Sequence, residues 1–415
     1  MTTQLRDMDS RADSRAGTHF LRNALILGLL TAIGPFAIDM YLPSLPFIGD
    51  SLQADPDKVL MSLTAFFITF AVGQLVFGPI SDLLGRRLPL YFGVALFIGA
   101  SVGCAMADTV ETLIAFRLLQ GLGGAAGIVI PRAIVRDLHS GVEEAKLLGL
   151  LMLVFSVSPL LAPLFGSVII EALGWRTVFW FVAGIAVFAS ILGLLLVPET
   201  RSAAQRAETS IRGMVGTSRQ LFTDRTFMGL TLASSFAICA FFVFLANAPF
   251  VMMGQYGLSP IGFSITFSLN AAAFFFAAQF CGRLGARFGL RALVMPSILG
   301  FTAMMVLVFA LNAAGLDNLY LTMALLLLGY GCLGFLLPTA SVLALESYGE
   351  AAGMASSLMA TLQLAVGAVV IGVSGTFING VGVKMTGGIA ICALATLAVA
   401  LLTLRGGRRQ PVPAE

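Results

Sequence analysis

Long apolar runs separated by short polar connections fill nearly the whole chain. Twelve of them stand out, at about residues 23–45, 59–80, 88–107, 112–133, 146–173, 177–198, 226–252, 259–281, 292–313, 318–340, 351–378 and 381–404. At 1.5 Å of rise per residue, about 20 residues cross a hydrocarbon core about 30 Å thick, and most of the runs reach that length. They are continuously apolar rather than alternating, which predicts helices and not the strands of a barrel. The pattern therefore predicts an all-α membrane protein with twelve transmembrane helices. The first run follows a polar, mixed-charge stretch and continues to about Leu45 without a small-residue cleavage site. It reads as a first span rather than a removed signal peptide.

Composition agrees: 58% of residues are hydrophobic and only 11% charged, against about 25% charged in a soluble domain. That gap excludes an ordinary soluble enzyme. No basic patch is interleaved with aromatics, so no nucleic-acid partner is expected. The five cysteines, Cys104, Cys239, Cys281, Cys332 and Cys392, lie in apolar segments without paired spacing. They read as small core hydrophobes, and neither a disulfide framework nor a metal site is expected. No cofactor is expected.

The distribution of charge fixes an expected topology. With the N-terminus cytoplasmic, twenty of the 24 Lys and Arg residues fall on that side, three (Lys58, Arg176, Lys384) on the other, and Arg117 inside a span. This bias predicts twelve helices with both termini cytoplasmic. Polar, Arg-rich residues 201–225 divide the chain. The expected organisation is a tail over 1–22, a six-helix bundle over 23–200, a linker over 201–225, a second bundle over 226–404 and a tail over 405–415. An internal echo supports two related halves. Gly78, Asp82, Gly85 and Arg87 of Gly78-Pro79-Ile80-Ser81-Asp82-Leu83-Leu84-Gly85-Arg86-Arg87 recur as Gly282, Ala286, Gly289 and Arg291 at a constant offset. Such repeats mark transporters.

A charge inside hydrocarbon is costly, and each instance asks for a reason. Asp39 is the one acid well within a span, and Arg117 the one base. Both lie roughly 7 Å outward of their helix centres at 1.5 Å per residue, so they are placed to share a cavity or to pair. Burial and a neighbouring arginine act oppositely on a carboxyl group. A group held between them exchanges a proton as its surroundings change, which a proton-coupled carrier requires. The rival reading is a fixed ion pair that locks two helices. Pro35, Pro43 and Pro46 bracket Asp39 and mark a kink or break in the first helix. In the fifth span Gly149, Ser158, Ala162, Pro163, Gly166 and Ser167 form a small-residue pattern, with 158, 162 and 166 on one face suited to close packing. Tyr41, Gln120, Asn247 and Gln363 are candidates to line a substrate cavity, although hydrogen bonding between helices is the favoured role for the polar residues within spans. Of the phenylalanines at 241, 242, 244, 274, 275 and 276, most are expected to face lipid.

Three motif matches carry no chemistry. Gly329-Tyr330-Gly331-Cys332-Leu333-Gly334 and Gly121-Leu122-Gly123-Gly124-Ala125-Ala126 fit dinucleotide fingerprints, but both sit inside apolar helices with no preceding strand. Gly99-Ala100-Ser101-Val102-Gly103 fits a nucleophile elbow, but the only histidines are His19 and His139, in the tail and at a helix end. No Gly-Lys pair exists for a phosphate-binding loop. The chain is expected not to be an enzyme.

The Gly78–Arg87 segment resembles the signature loop between helices 2 and 3 of the major facilitator superfamily, with Leu83 where a basic residue is frequent. Arg117-Leu118-Leu119-Gln120-Gly121 resembles the helix-4 motif of its proton-linked drug antiporters. The helix-5 pattern resembles their antiporter motif, with Ser158, Ala162 and Ser167 in place of glycines. Ile38-Asp39-Met40-Tyr41-Leu42-Pro43-Ser44-Leu45-Pro46 and Ala352-Gly353-Met354-Ala355-Ser356-Ser357 are similar to the bicyclomycin/chloramphenicol resistance (Bcr/CflA) family. The resemblance implies the major facilitator fold of two six-helix halves, in a bacterial inner membrane. It implies a multidrug efflux carrier that exchanges a small hydrophobic drug for protons through a cavity lined by helices 1, 4, 7 and 10. Asp39 and Arg117 would couple protons, and Gly78, Asp82, Gly85, Arg86 and Arg87 would form a cytoplasmic gate bridging the halves. The partners expected are the drug, protons and the bilayer, with the protein a monomer. The alternatives are an exporter of one metabolite, such as an amino acid or nucleoside, and a non-transporting receptor.

Overall fold

The structure is a computed structural model. It describes residues 2–202, 220–346, 348, 352–378 and 380–406, with backbone alone for 2–19, 352 and 404–406. Among the described residues twelve helices are long and apolar enough to cross a membrane. We number them α1 (Thr2–Asp39), α2 (Pro56–Leu84), α3 (Arg87–Ala105), α4 (Val110–Leu138), α5 (Gly141–Leu173), α6 (Trp175–Leu196), α7 (Arg225–Pro249), α8 (Pro260–Phe288), α9 (Leu290–Ala313), α10 (Leu319–Leu345), α11 (Ala352–Ile378) and α12 (Gly382–Gly406).

Local sequence explains where these helices begin. Thr109, Asp224, Ser259 and Asn318 cap α4, α7, α8 and α10 by accepting backbone N–H groups that the first turn leaves unpaired. Pro56 and Pro260 open α2 and α8, where a missing N–H costs nothing. The expected tail over 1–22 is helical in its backbone from Thr2 onward and continuous with the first span. Most of the expected linker, residues 203–219, and the end of the expected C-terminal tail, residues 407–415, lie outside the described residues.

The first span does not break at Pro35, which sits inside α1. The α-helix ends at Asp39. A tight turn over Leu42–Ser44 follows, and a short helix over Leu45–Leu52 completes the span. Pro43 and Pro46 thus start new turns instead of kinking an old one.

Packing within the bundle relies on small residues, because in lipid there is no water to drive apolar faces together. α4 lies across α2 and α3. A side chain on Gly123 would collide with the Gly93 carbonyl at 2.5 Å, so the fingerprint-like glycines of α4 serve as a close-packing face. The major contacts of α1–α6 are with one another, as are those of α7–α12. Two seams join the groups, α2 against α11 and α5 against α8. At the first seam Gly375 meets Leu60 and Gly372 meets Thr64, near the end of the bundle opposite the α2–α3 connection.

The phenylalanines correct one expectation. Phe244 is fully buried, stacked on Phe267 and tilted against Tyr330. Phe241 joins Phe267, Phe274 and Tyr330, and Phe242 meets Phe67 of α2. Of the six, Phe276 alone is strongly exposed. Phe241, Phe242, Phe244 and Phe274 form aromatic packing between helices, worth about 0.5–1.5 kcal/mol per ring pair beyond area burial, and Phe275 packs on Phe274 of its own helix.

Candidate functional site

Asp39 ends α1 where the backbone turns away, and its side chain is only 4% exposed. Its oxygen Oδ2 accepts a hydrogen bond of 2.8 Å from Ser158 Oγ of α5. α5 can approach this closely because its small face lies against α1: Ser158 and Ala162 are fully buried, and a side chain on Gly166 would strike the Met40 carbonyl at 2.4 Å. Pro163 is buried on the same helix, whereas Gly149 is exposed with nothing near it, outside the packed face.

Arg117 is wholly buried on α4. Its Nη1 donates to the Ala37 carbonyl at 3.1 Å and to Gln120 Oε1 at 2.6 Å. Gln120 in turn donates to Ser101 on α3 at 2.8 Å. The guanidinium lies 4.4 Å from the ring centre of Tyr41 and 4.3 Å from that of Phe66, so two aromatic faces hold the cation. Tyr41 is fixed through its hydroxyl to Ser62 of α2 at 2.6 Å. Among the described residues Nε and Nη2 of Arg117 have no hydrogen-bond partner.

The expected Asp39–Arg117 pair is not formed. No ion pair joins them among the described residues. Asp39 faces α5, while Arg117 is held by α1, α2 and α4, and they meet only through the carbonyl of Ala37, two residues before Asp39. A buried carboxylate with one hydrogen bond and a buried cation with no counter-charge are both expensive. Neither is the cheap way to join two helices.

The second cluster surrounds Arg86, in the connection between α2 and α3. Arg86 is 4% exposed. It donates to Asp82 Oδ1 at 2.7 Å, to Ser81 Oγ at 2.8 Å, and through Nε and Nη2 to both oxygens of Asp137, at 2.7 and 3.1 Å. Burial works against its charge, but Asp137 and then Asp82 outweigh it and hold the guanidinium above its ordinary pKa. Glu199 accepts the backbone N–H groups of Arg86 and Arg87 at 2.8 and 3.1 Å, an anion at the positive end of α3. Arg87 donates to the Leu194 carbonyl at 2.9 Å, Thr200 to Asp137 at 2.7 Å, and Arg201 pairs with Asp82 at 3.3 Å. Gly85 takes a φ of +91° at the turn, while Gly78 sits in ordinary contact with Val129. The partners of Arg86 all come from α2, α4 and the segment after α6. In this structure it ties the ends of these helices together, and the expected bridge to the second six helices is not among its hydrogen bonds. Asp137, Glu199 and Thr200 were not foreseen. The available signal was an acid directly beside each basic helix end.

The remaining candidates lie in α7 and α11. Asn247 donates to the Val243 carbonyl at 2.9 Å and to Ser374 of α11 at 3.1 Å, and Gln363 donates to Ser234 of α7 at 3.1 Å. Both connect helices in this state, as do Ser264 and Ser268 of α8, which donate to the carbonyls of Pro163 and Leu160 on α5 at 2.9 and 2.7 Å.

The sequence matches the Major Facilitator Superfamily over residues 27–371. The chain belongs to that superfamily. An uncharacterized MFS-type transporter of Bacillus subtilis, YdgK, is 36% identical over 85% of this chain and 88% of its own. A chloramphenicol resistance protein of Pseudomonas aeruginosa is 34% identical over 66% of this chain and 64% of its own, and a bicyclomycin resistance protein homolog of Haemophilus influenzae 30% over 83% and 86%. These relatives set this superfamily member in the Bcr/CflA-like group. The fold agrees: a bacterial homolog of the lysosomal transporter Spinster, solved inward-facing, superposes with a TM-score of 0.75 at 16% identity, covering 96% of this chain and 99% of that one. The family is one of transporters, and its twelve spans and bacterial relatives make this member a multi-pass inner-membrane protein.

Proposed function

We propose that this transporter exports small hydrophobic drugs of the chloramphenicol or bicyclomycin type in exchange for protons. Two halves, 23–200 and 226–404, rock about a central cavity, with both termini in the cytoplasm. The observation that carries this reading is Asp39: a carboxyl buried where α1 breaks, hydrogen-bonded across to α5 and, among the described residues, in no ion pair. Such a group gains and loses a proton without first dissolving a salt bridge. The resistance proteins among the relatives supply the drug class. The contacts between α2 and α11 at Gly372 and Gly375 lie at the end away from the arginines, which supports a state shut toward the outside, while Gly353 of α11 also lies beside Arg136 of α4 at the other end. Facing inward, the cavity takes drug while Asp39 gives up its proton. Facing outward, Asp39 is reprotonated and drug leaves. The Arg86 cluster keeps the cytoplasmic ends of α2, α4 and α6 moving as one gate.

The test is proton release from detergent-purified protein on adding chloramphenicol. Wild type is expected to release protons and Asp39→Asn to release none while still binding the drug. Equal release from both would move the coupling site elsewhere.

A further inference from the structure

Hydroxyl side chains in apolar helices ordinarily donate to a carbonyl three or four residues back on the same helix. Here Thr31 donates to Leu27, Ser101 to Phe97, Ser156 to Met152 and Ser190 to Ala186. Ser158 does not. It is fully buried, leaves the carbonyl of its own helix alone, and gives its proton to Asp39 on α1. Two and five residues further on, the same helix is gripped from the opposite group, where Ser268 and Ser264 of α8 donate to the Leu160 and Pro163 carbonyls of α5. These two serines also decline their own helix. α5 carries Pro159 and Pro163 in this stretch, so its internal ladder is thinned where both attachments are made.

We propose that Ser158 is a positioning residue for the coupling carboxyl: its hydroxyl holds Asp39 against α5, and α5 carries that hold to the α5–α8 seam between the two halves. The proposal rests on Asp39 being the coupling group. The argument is one of donors and acceptors. An ionised carboxylate has only acceptors, and a serine hydroxyl facing it is a matched donor. When the carboxyl takes up a proton it becomes a donor itself, and the match with Ser158 is weakened. α5 is therefore held tightest to α1 when Asp39 is charged, and is released when the proton arrives from outside. A glycine, which the resembling helix-5 pattern has at this position, supplies no such donor.

The experiment is chloramphenicol-triggered proton release in detergent across a pH series, for wild type, Ser158→Ala, Ser158→Thr, Ser264→Ala and Asp39→Asn. S158A is expected to displace the pH midpoint of release by about one unit, the size of one hydrogen bond to a charged group. S158T, which keeps the hydroxyl, is expected to restore it. S264A leaves the Asp39 contact in place and is expected to keep the wild-type midpoint. A small-residue packing role alone would leave the S158A midpoint unmoved. Should S158A fail to fold, Ser158→Cys, similar in size and a weak donor, reads the same displacement in reduced form. If D39N abolishes release while S158A overlays wild type, the role of Ser158 is overturned and the coupling role of Asp39 stands. If D39N releases protons as wild type does, the underlying reading falls as well.

Discussion

The α2–α3 and α8–α9 connections occupy matching places in the sequence repeat and have opposite characters. Both turn on a glycine in a conformation closed to other residues, Gly85 at φ +91° and Gly289 at φ +84°. In the first, Arg86 is buried and four acceptors from three segments surround it. In the second, Leu290 stands at the corresponding position, half-buried against Gly285, and Ala286 in place of Asp82 is exposed. The backbone turn is thus common to both, while among the described residues the buried polar lock stands on one side and the other has only the exposed Arg291–Glu346 pair. The glycine belongs to the fold, and the buried arginine to one half alone among the described residues.

Replacing the central residue of each turn breaks this comparison most severely. Arg86→Ala removes the shared cation of Asp82 and Asp137 and leaves Arg201, paired with Asp82, beside them, which is expected to cost about 3 kcal/mol. Drug export should fall at least tenfold (~1.4 kcal/mol). Leu290→Ala, on a half-buried side chain, is expected to cost under about 1.5 kcal/mol. Thermal unfolding in detergent measures both, and equal losses would mean that the two loops are alike in function after all. A middle-sized effect comes from the shared glycines. Gly85→Ala and Gly289→Ala each force a side chain into strained backbone, about 1–3 kcal/mol. Stability should drop similarly in both, but export more in G85A, because strain there displaces Arg86. The smallest effect is expected from Ala286→Asp, within about 0.5 kcal/mol at an exposed site. Adding Leu290→Arg to A286D would sharpen the contrast: a gain in unfolding temperature for the double variant over either single one would show that the turn alone suffices to seat the pair.

The spans were legible because hydrocarbon demands unbroken apolar runs, and all twelve appear where those runs lie. Their ends were less so. α5 begins at Gly141, ahead of the expected 146, because Glu143 and Glu144 sit on the first turn of a helix that outlasts its apolar part. The closeness of Asp39 and Arg117 was also legible, since position along a helix gives depth. Depth does not give direction, and the two side chains point to different neighbours. The aromatic residues of α7 and α8 were misjudged for a reason peculiar to membranes: when the surroundings are as apolar as the core, hydrophobicity does not tell inside from outside. Asp137 and Glu199 were passed over because acids at span ends are ordinary, and only the folded chain brings them to Arg86.

Arg117, wedged between Tyr41 and Phe66, is a charge that stays put. With its cation anchored to the first helices, Asp39 is the group that would switch between charged and neutral in the proposed cycle. On the proposed antiport, exchange of an uncharged drug for one proton would carry one net positive charge inward per turnover. Each such charge draws about 2.3 kcal/mol from every 100 mV of membrane potential. On that antiport reading, the voltage across the membrane would drive export by itself, even when the pH on its two sides is the same.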